Sequence, residues 1–174
     1  MLYTFELDLA DADRGVYESL ELRVARHPSE SEEYLVARTL AYALEYADGI
    51  SFSPGGLSDP DEPALTVRDL TGAIKAWIEI GNPDAARLHK ASKASPRVAV
   101  YTHKNAERLV ENLASARIHR ADALEIYAID RALIAALVQR LERRLAFTLT
   151  VIERHLFLSL GAETLTGAVE RVPL

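Results

Sequence analysis

The tetrapeptide Asp69-Leu70-Thr71-Gly72, set between the apolar runs Ala64–Arg68 and Ala73–Ile80, constrains this chain more than any other feature. Asp in the first position and Gly in the fourth are what a type I turn prefers, so the two runs are expected to fold back on each other as an antiparallel hairpin. Turning about Leu70-Thr71 pairs position i with 141 minus i and sets Glu79 opposite Glu62, and a bulge at Gly72 shifts that register by one. In the second strand, Ile74, Ala76, Ile78 and Ile80 alternate with Lys75, Trp77 and Glu79, which predicts one apolar face and one face carrying charge. A glutamate inside such an apolar strand has to be solvated, paired or bound to a metal, because a lone buried carboxylate is heavily penalised. Lys75 and Lys90 are the partners that a simple ion pair would use.

The remainder of the chain reads as alternating strands and helices. Leu2–Leu9 and Tyr17–Ala25 form strands about an Asp-rich turn. Ser29 with Glu32 three residues later gives a capping box for a helix running to Ala47, on which Glu33 shares the core-facing side with Val36, Ala37, Leu40 and Leu44. Glu30 and Glu32 fit the roles of capping and dipole residues. Ile50–Ser53 is a short strand, and residues 54–60, rich in Pro and Gly, form a loop. Asn82 caps a helix with Pro83 in its first position. A buried strand Val98–Tyr101, a helix Asn105–Ala116 and a strand Ala123–Ile129 follow. Asp130 then caps a helix to about Arg143, ahead of a hairpin about Glu153-Arg154 and a last, edge-type strand Thr164–Val172.

Charge and composition narrow the function classes. Of 26 acids and 20 Lys or Arg, residues 1–62 hold 14 acids against 4 arginines, a net of −10 that leaves +4 on the remainder. An acidic protein gains little from general attraction to phosphate backbones. Residues 84–108 are nevertheless basic, with Arg87, Lys90, Lys93, Arg97, Lys104 and Arg108 against Asp84 and Glu107. The absence of cysteine excludes disulfides, thiol nucleophiles and cysteine zinc sites, and points to a cytoplasmic setting. No apolar run reaches the length of a membrane span, so no membrane association is expected. The five histidines lack metal-binding spacing, with His89 and His103 read as surface residues, and neither a phosphate loop nor a Gly-x-Ser-x-Gly elbow occurs.

Six short motifs in one order carry a resemblance. Ala25-Arg26-His27-Pro28-Ser29-Glu30, Gly56-Leu57-Ser58, Asp61-Glu62-Pro63, Trp77-Ile78-Glu79-Ile80-Gly81 with Pro83, Arg87 with Lys90-Ala91, and Val100-Tyr101-Thr102 make the chain resemble the YaeQ family. That resemblance implies a single mixed α/β (α+β) domain over residues 1–174. Its fold would be a variant of the PD-(D/E)XK nuclease-like fold, an αβββαβ core with an added N-terminal β-hairpin and C-terminal strands.

It also implies a metal-dependent nuclease or phosphodiesterase using Mg²⁺ or Mn²⁺. Glu33 matches the helix acid, Asp61 or its neighbour Glu62 the first strand acid, and Glu79 the second. Gly81 stands where that superfamily usually has a lysine, which Lys90 on the next helix would replace. Trp77, Arg87 and Lys93 are then candidates for holding a nucleic-acid substrate. Such an ion would lower the pKa of the attacking water and offset charge on the transition state. The alternative is a nuclease-fold module without catalysis that binds a protein or a nucleic acid, which the break at Gly81 and the acidic charge favour.

Overall fold

The computed structural model describes residues 1–54 and 61–174. The expected loop at Gly55, Gly56 and Ser58–Pro60, together with the motif Gly56-Leu57-Ser58, lies outside them. The strands are β1 (Leu2–Asp11), β2 (Val16–Ala25), β3 (Ile50–Phe52), β4 (Leu65–Arg68), β5 (Ile74–Ile80), β6 (Val98–Thr102), β7 (Glu125–Ile129), β8 (Arg144–Ile152), β9 (His155–Leu160) and β10 (Glu163–Arg171). The α-helices are α1 (Glu32–Leu44), α2 (Ala85–Ala94), α3 (Ala106–Ala114) and α4 (Arg131–Val138). The strands form one sheet in the order β2-β1-β8-β9-β10-β7-β6-β5-β4-β3. From α1 to β6 the elements follow the sequence helix, three strands, helix, strand.

Pairing is antiparallel except at β1–β8 and along β5–β6–β7. Parallel strands need long crossovers and are normally covered on both faces. Here α1 and α4 contribute Leu35, Val36, Leu40, Leu133, Ile134 and Leu137 to a core shared with Ala76, Ile78 and Ile80. On the opposite face α2 and α3 bring Leu88, Ala91, Leu109 and Leu113 against Trp77, Val98, Val100 and Ile126. This two-sided burial explains why all five residues of Val98–Thr102 are buried. The last strand, expected at an edge, is instead flanked by β9 and β7. Among the described residues no helix is long and apolar enough to cross a membrane.

The Asp69–Gly72 turn forms: Gly72 N–H donates to the Asp69 carbonyl at 3.0 Å, and the Asp69 carboxylate accepts from Thr71 N and Ala73 N. The register beyond it differs from expectation. Leu65 faces Ile78 and Val67 faces Ala76, a sum of 143 rather than 141. Two residues account for the difference. Gly72 takes φ +89° and adds one, so that Asp69 N pairs with the Ala73 carbonyl. Lys75 is passed over between the pairs Val67–Ala76 and Arg68–Ile74 and adds the second. Continuing that register places Glu79 across from Ala64, not Glu62. The same bulge turns Ile74 to the side of Trp77, away from Ala76 and Ile78.

The first helix also starts later than expected. Ser31, not Ser29, is its N-cap, accepting from Tyr34 N at 3.1 Å, and the helix ends at Leu44 rather than Ala47. Ser29 instead bonds the His27 ring. Ser31→Ala should therefore destabilise the fold by about 1 kcal/mol, while Ser29→Ala leaves the helix cap intact. Urea unfolding of both variants measures this, and an equal loss from the two would contradict the assignment. With the later start, Glu33 falls in the first turn of the helix, ahead of the buried stretch that begins at Leu35, and is exposed rather than core-facing.

Candidate functional site

The parallel strands β5 and β6 end side by side, and α1 and α2 begin next to those ends. Crevices outside the carboxyl ends of parallel strands are where open α/β sheets receive ligands. A cleft of about 430 Å³ lies there, bounded by Ser29, Ser31 and Tyr34 at the start of α1, Glu62, Glu79 and Gly81, Arg87 on α2, and His103 and Lys104 just past β6.

Glu79 is its buried centre, only 4% exposed. One carboxylate oxygen accepts from Trp77 Nε1 at 2.6 Å and the other from Arg87 Nε at 2.8 Å. Burial outweighs these bonds and pushes the carboxyl above its ordinary value, with Asp84 adding repulsion. The cation is thus Arg87, not Lys75 or Lys90. Arg87 also donates to the backbone carbonyl of Glu62, whose side chain accepts from Ser53 Oγ. Tyr34 borders the same region, and burial raises its hydroxyl to about 12 against the opposing pull of Arg38.

The other residues picked out from the sequence are dispersed. Asp61 and Lys90 bond each other, both exposed, and that contact holds the Asp61 carboxyl below its ordinary value. Neither borders the cleft. Lys93 is exposed on α2. Trp77, considered for stacking on a base, is 4% exposed and packed in the α2–α3 core, so its ring face is not offered to a ligand.

The residues present do not fit a magnesium ion as they stand. Such an ion takes oxygen ligands in octahedral geometry, commonly two or three carboxylates with waters. Both Glu79 oxygens already accept from protein donors, Asp61 is paired with Lys90, and among the described residues no group of three His, Asp or Glu side chains is arranged to hold a metal.

Two groups that matter here were not read from the sequence. Glu30, assigned to capping, is 2% exposed and joined to Arg38, 3% exposed, at 2.8 Å. Arg38 also donates to the carbonyl of Ala25, tying the start of α1 to the end of β2. Patterning gave no signal for it: Arg38 lies off the apolar stripe of Val36, Ala37, Leu40 and Leu44, and it is buried because the helix is enclosed on all sides from Leu35 to Ala41. His103, read as a surface residue, is 8% exposed and stands edge-on to Tyr34 with ring centroids 6.3 Å apart. Burial is the main cause that lowers its pKa to about 4, with Lys104 and Arg131 acting in the same direction and Glu33 against them.

Known proteins share this fold. Residues 1–169 match the family described as YaeQ protein. "Uncharacterized protein YaeQ" of Escherichia coli (strain K12) is 38% identical over 104 residues, a match that spans 60% of this chain and 57% of that protein. Its counterpart in Salmonella typhi is 30% identical over 159 residues, 91% of this chain and 87% of the relative. The crystal structure of YaeQ protein from Pseudomonas syringae has a TM-score of 0.90 at 31% identity, covering 100% of this chain and 96% of that one. That of YaeQ protein from Xanthomonas axonopodis pv. citri has 0.89 at 31%, covering 98% and 96%. By family match, by relatives and by fold, this chain belongs to the YaeQ family.

Proposed function

We propose that the chain is a nuclease-like fold, of the αβββαβ type, whose cleft at the ends of β5 and β6 binds a nucleic-acid strand without metal-assisted cleavage. One observation carries this reading: the acid at the end of β5, Glu79, is neutralised within the protein, with Trp77 and Arg87 on its two oxygens. A carboxylate poised for a dication would leave an oxygen toward solvent, whereas this one holds a guanidinium at the cleft wall. Lys104, exposed at the rim, supplies a charge for a phosphate group. The overall acidity, −6, limits indiscriminate attraction, so binding would depend on this local geometry.

The second reading, a Mg²⁺- or Mn²⁺-dependent phosphodiesterase, is favoured by the placing of Glu79 and Glu62 on one cleft. It requires the Glu79–Arg87 pair to open. Calorimetric titration of Mg²⁺ and Mn²⁺ into wild type and Glu79→Ala separates the two. The binding reading expects equal, negligible heats from both proteins. Saturable heat from wild type that Glu79→Ala loses would favour the phosphodiesterase and overturn it.

A further inference from the structure

His103 has a feature that its packing leaves unexplained. Its Nδ1 is sealed from solvent and has no hydrogen-bond partner among the described residues, although a buried polar atom left unsatisfied is costly. Such groups in a folded protein call for a reason. The ring forms part of the cleft wall. Gly81 borders it: a Cβ there would meet His103 Cε1 at 3.7 Å, an ordinary van der Waals contact. Because the second side-chain torsion of histidine is broad and roughly two-fold, a half-turn of the ring exchanges Cε1 with Nε2 and so sets a ring nitrogen beside Gly81 at the cleft wall without moving the backbone.

The charges around the ring indicate what would meet that nitrogen. Lys104 follows it directly, exposed and with no partner for its ammonium among the described residues, and the charge of Arg131 acts on the ring from the start of α4. Glu33 opposes them from α1, where Tyr34 also faces the ring. Within the cleft Glu79 is matched by Arg87, and Glu62 accepts from Ser53. A second hollow of about 440 Å³ adjoins at Lys104 and carries Asn105 and Arg131, with Glu107, Asp130 and Glu170 on its walls. Of these acids, Asp130 caps α4 through Ala132 N and Leu133 N.

We propose that the His103 imidazole and the Lys104 ammonium together form an oxyanion-binding point that takes a phosphate group of the ligand, with the rest of the ligand extending into the second hollow. This rests on the reading of the cleft as a binding site. The neutral imidazole donates one N–H to a phosphate oxygen, and Lys104 supplies the charge. An anion at that place also favours the protonated ring, so binding should raise the His103 pKa.

The test is an NMR titration of uniformly labelled protein with inorganic phosphate, then with a short single-stranded oligonucleotide bearing or lacking a 5′-phosphate. Phosphate is expected to shift the His103 ring signals, raise its pKa from about 4, and leave exposed His155 unmoved. His103→Phe, which keeps the ring volume, and Lys104→Ala should each weaken phosphate binding about tenfold or more. Comparing the two oligonucleotides distinguishes a terminal phosphate from an internal diester.

If the oligonucleotide moves Tyr34 and Gly81 signals while those of His103 stay fixed, the cleft binds but this inference fails. If no probe moves any cleft signal, the wider reading fails with it. Should His103→Phe not fold, the wild-type titration alone decides, since unmoved His103 signals at millimolar phosphate overturn the proposal.

Discussion

Arg38→Leu is expected to destabilise the protein by about 3–5 kcal/mol, the cost of removing one partner from a buried ion pair. Glu30 is then left 2% exposed with its charge unmatched, accepting among the described residues only from His27 N, and the carbonyl of Ala25 loses a donor. Against the ordinary stability of a domain, about 5–15 kcal/mol, that is about a fifth of the total or more. Urea unfolding at neutral pH measures it. The double variant Glu30→Leu/Arg38→Met should recover most of the loss, because apolar groups of similar volume need no counter-charge. A single variant costing less than about 1 kcal/mol, in the range of exposed pairs, would show that the pair is not sealed as described. The consequence reaches the cleft, since this pair fixes the segment that carries Ser29, Ser31 and Tyr34 into its wall.

How far the sequence reveals this molecule depends on the range of the forces that decide each part. Elements set by local patterning were legible: the Asp69–Gly72 turn, the order from α1 to β6, and the hairpin about Glu153-Arg154, where both residues take positive φ. Placements set by a single extra residue were not. The bulge at Lys75 has no signature in composition, yet it adds the second residue of the shift that moves Glu79 from opposite Glu62 to opposite Ala64, and it turns Ile74 to the other face. The first turn of α1 likewise leaves Glu33 exposed, while Glu30, ahead of the helix, is buried against Arg38. Pairing partners were harder still, because a lysine four residues away and an arginine eight residues away look equally available to Glu79. Arg87 prevails because its fork can reach Glu79 and the Glu62 carbonyl together. Glu79 itself was legible for a general reason: a carboxylate within an apolar strand must be accounted for.

Arg87→Ala should therefore reveal what Glu79 is without its cation. The carboxyl, already above its ordinary value by burial, loses the bond and charge that lower it and rises further. A group whose folded pKa exceeds its unfolded one contributes stability that is complete below the unfolded value and lost as pH rises through the folded value. The deficit of Arg87→Ala relative to wild type should thus be smallest below about pH 4.5 and reach about 2–4 kcal/mol at neutral pH. Trp77 is the chain's sole tryptophan and donates to Glu79, so its emission reports the change at the site while urea unfolding reports the energy. A deficit of the same size at acid and neutral pH would mean that lost packing of the Arg87 stem, not the unmatched charge, is responsible. The same variant sharpens the choice of function. If Mg²⁺ restores its stability at neutral pH, a dication can occupy the place of the guanidinium, and Arg87 then acts as a plug over an acid centre. If it does not, Glu79 and Arg87 are a fixed pair whose role is to shape the cleft.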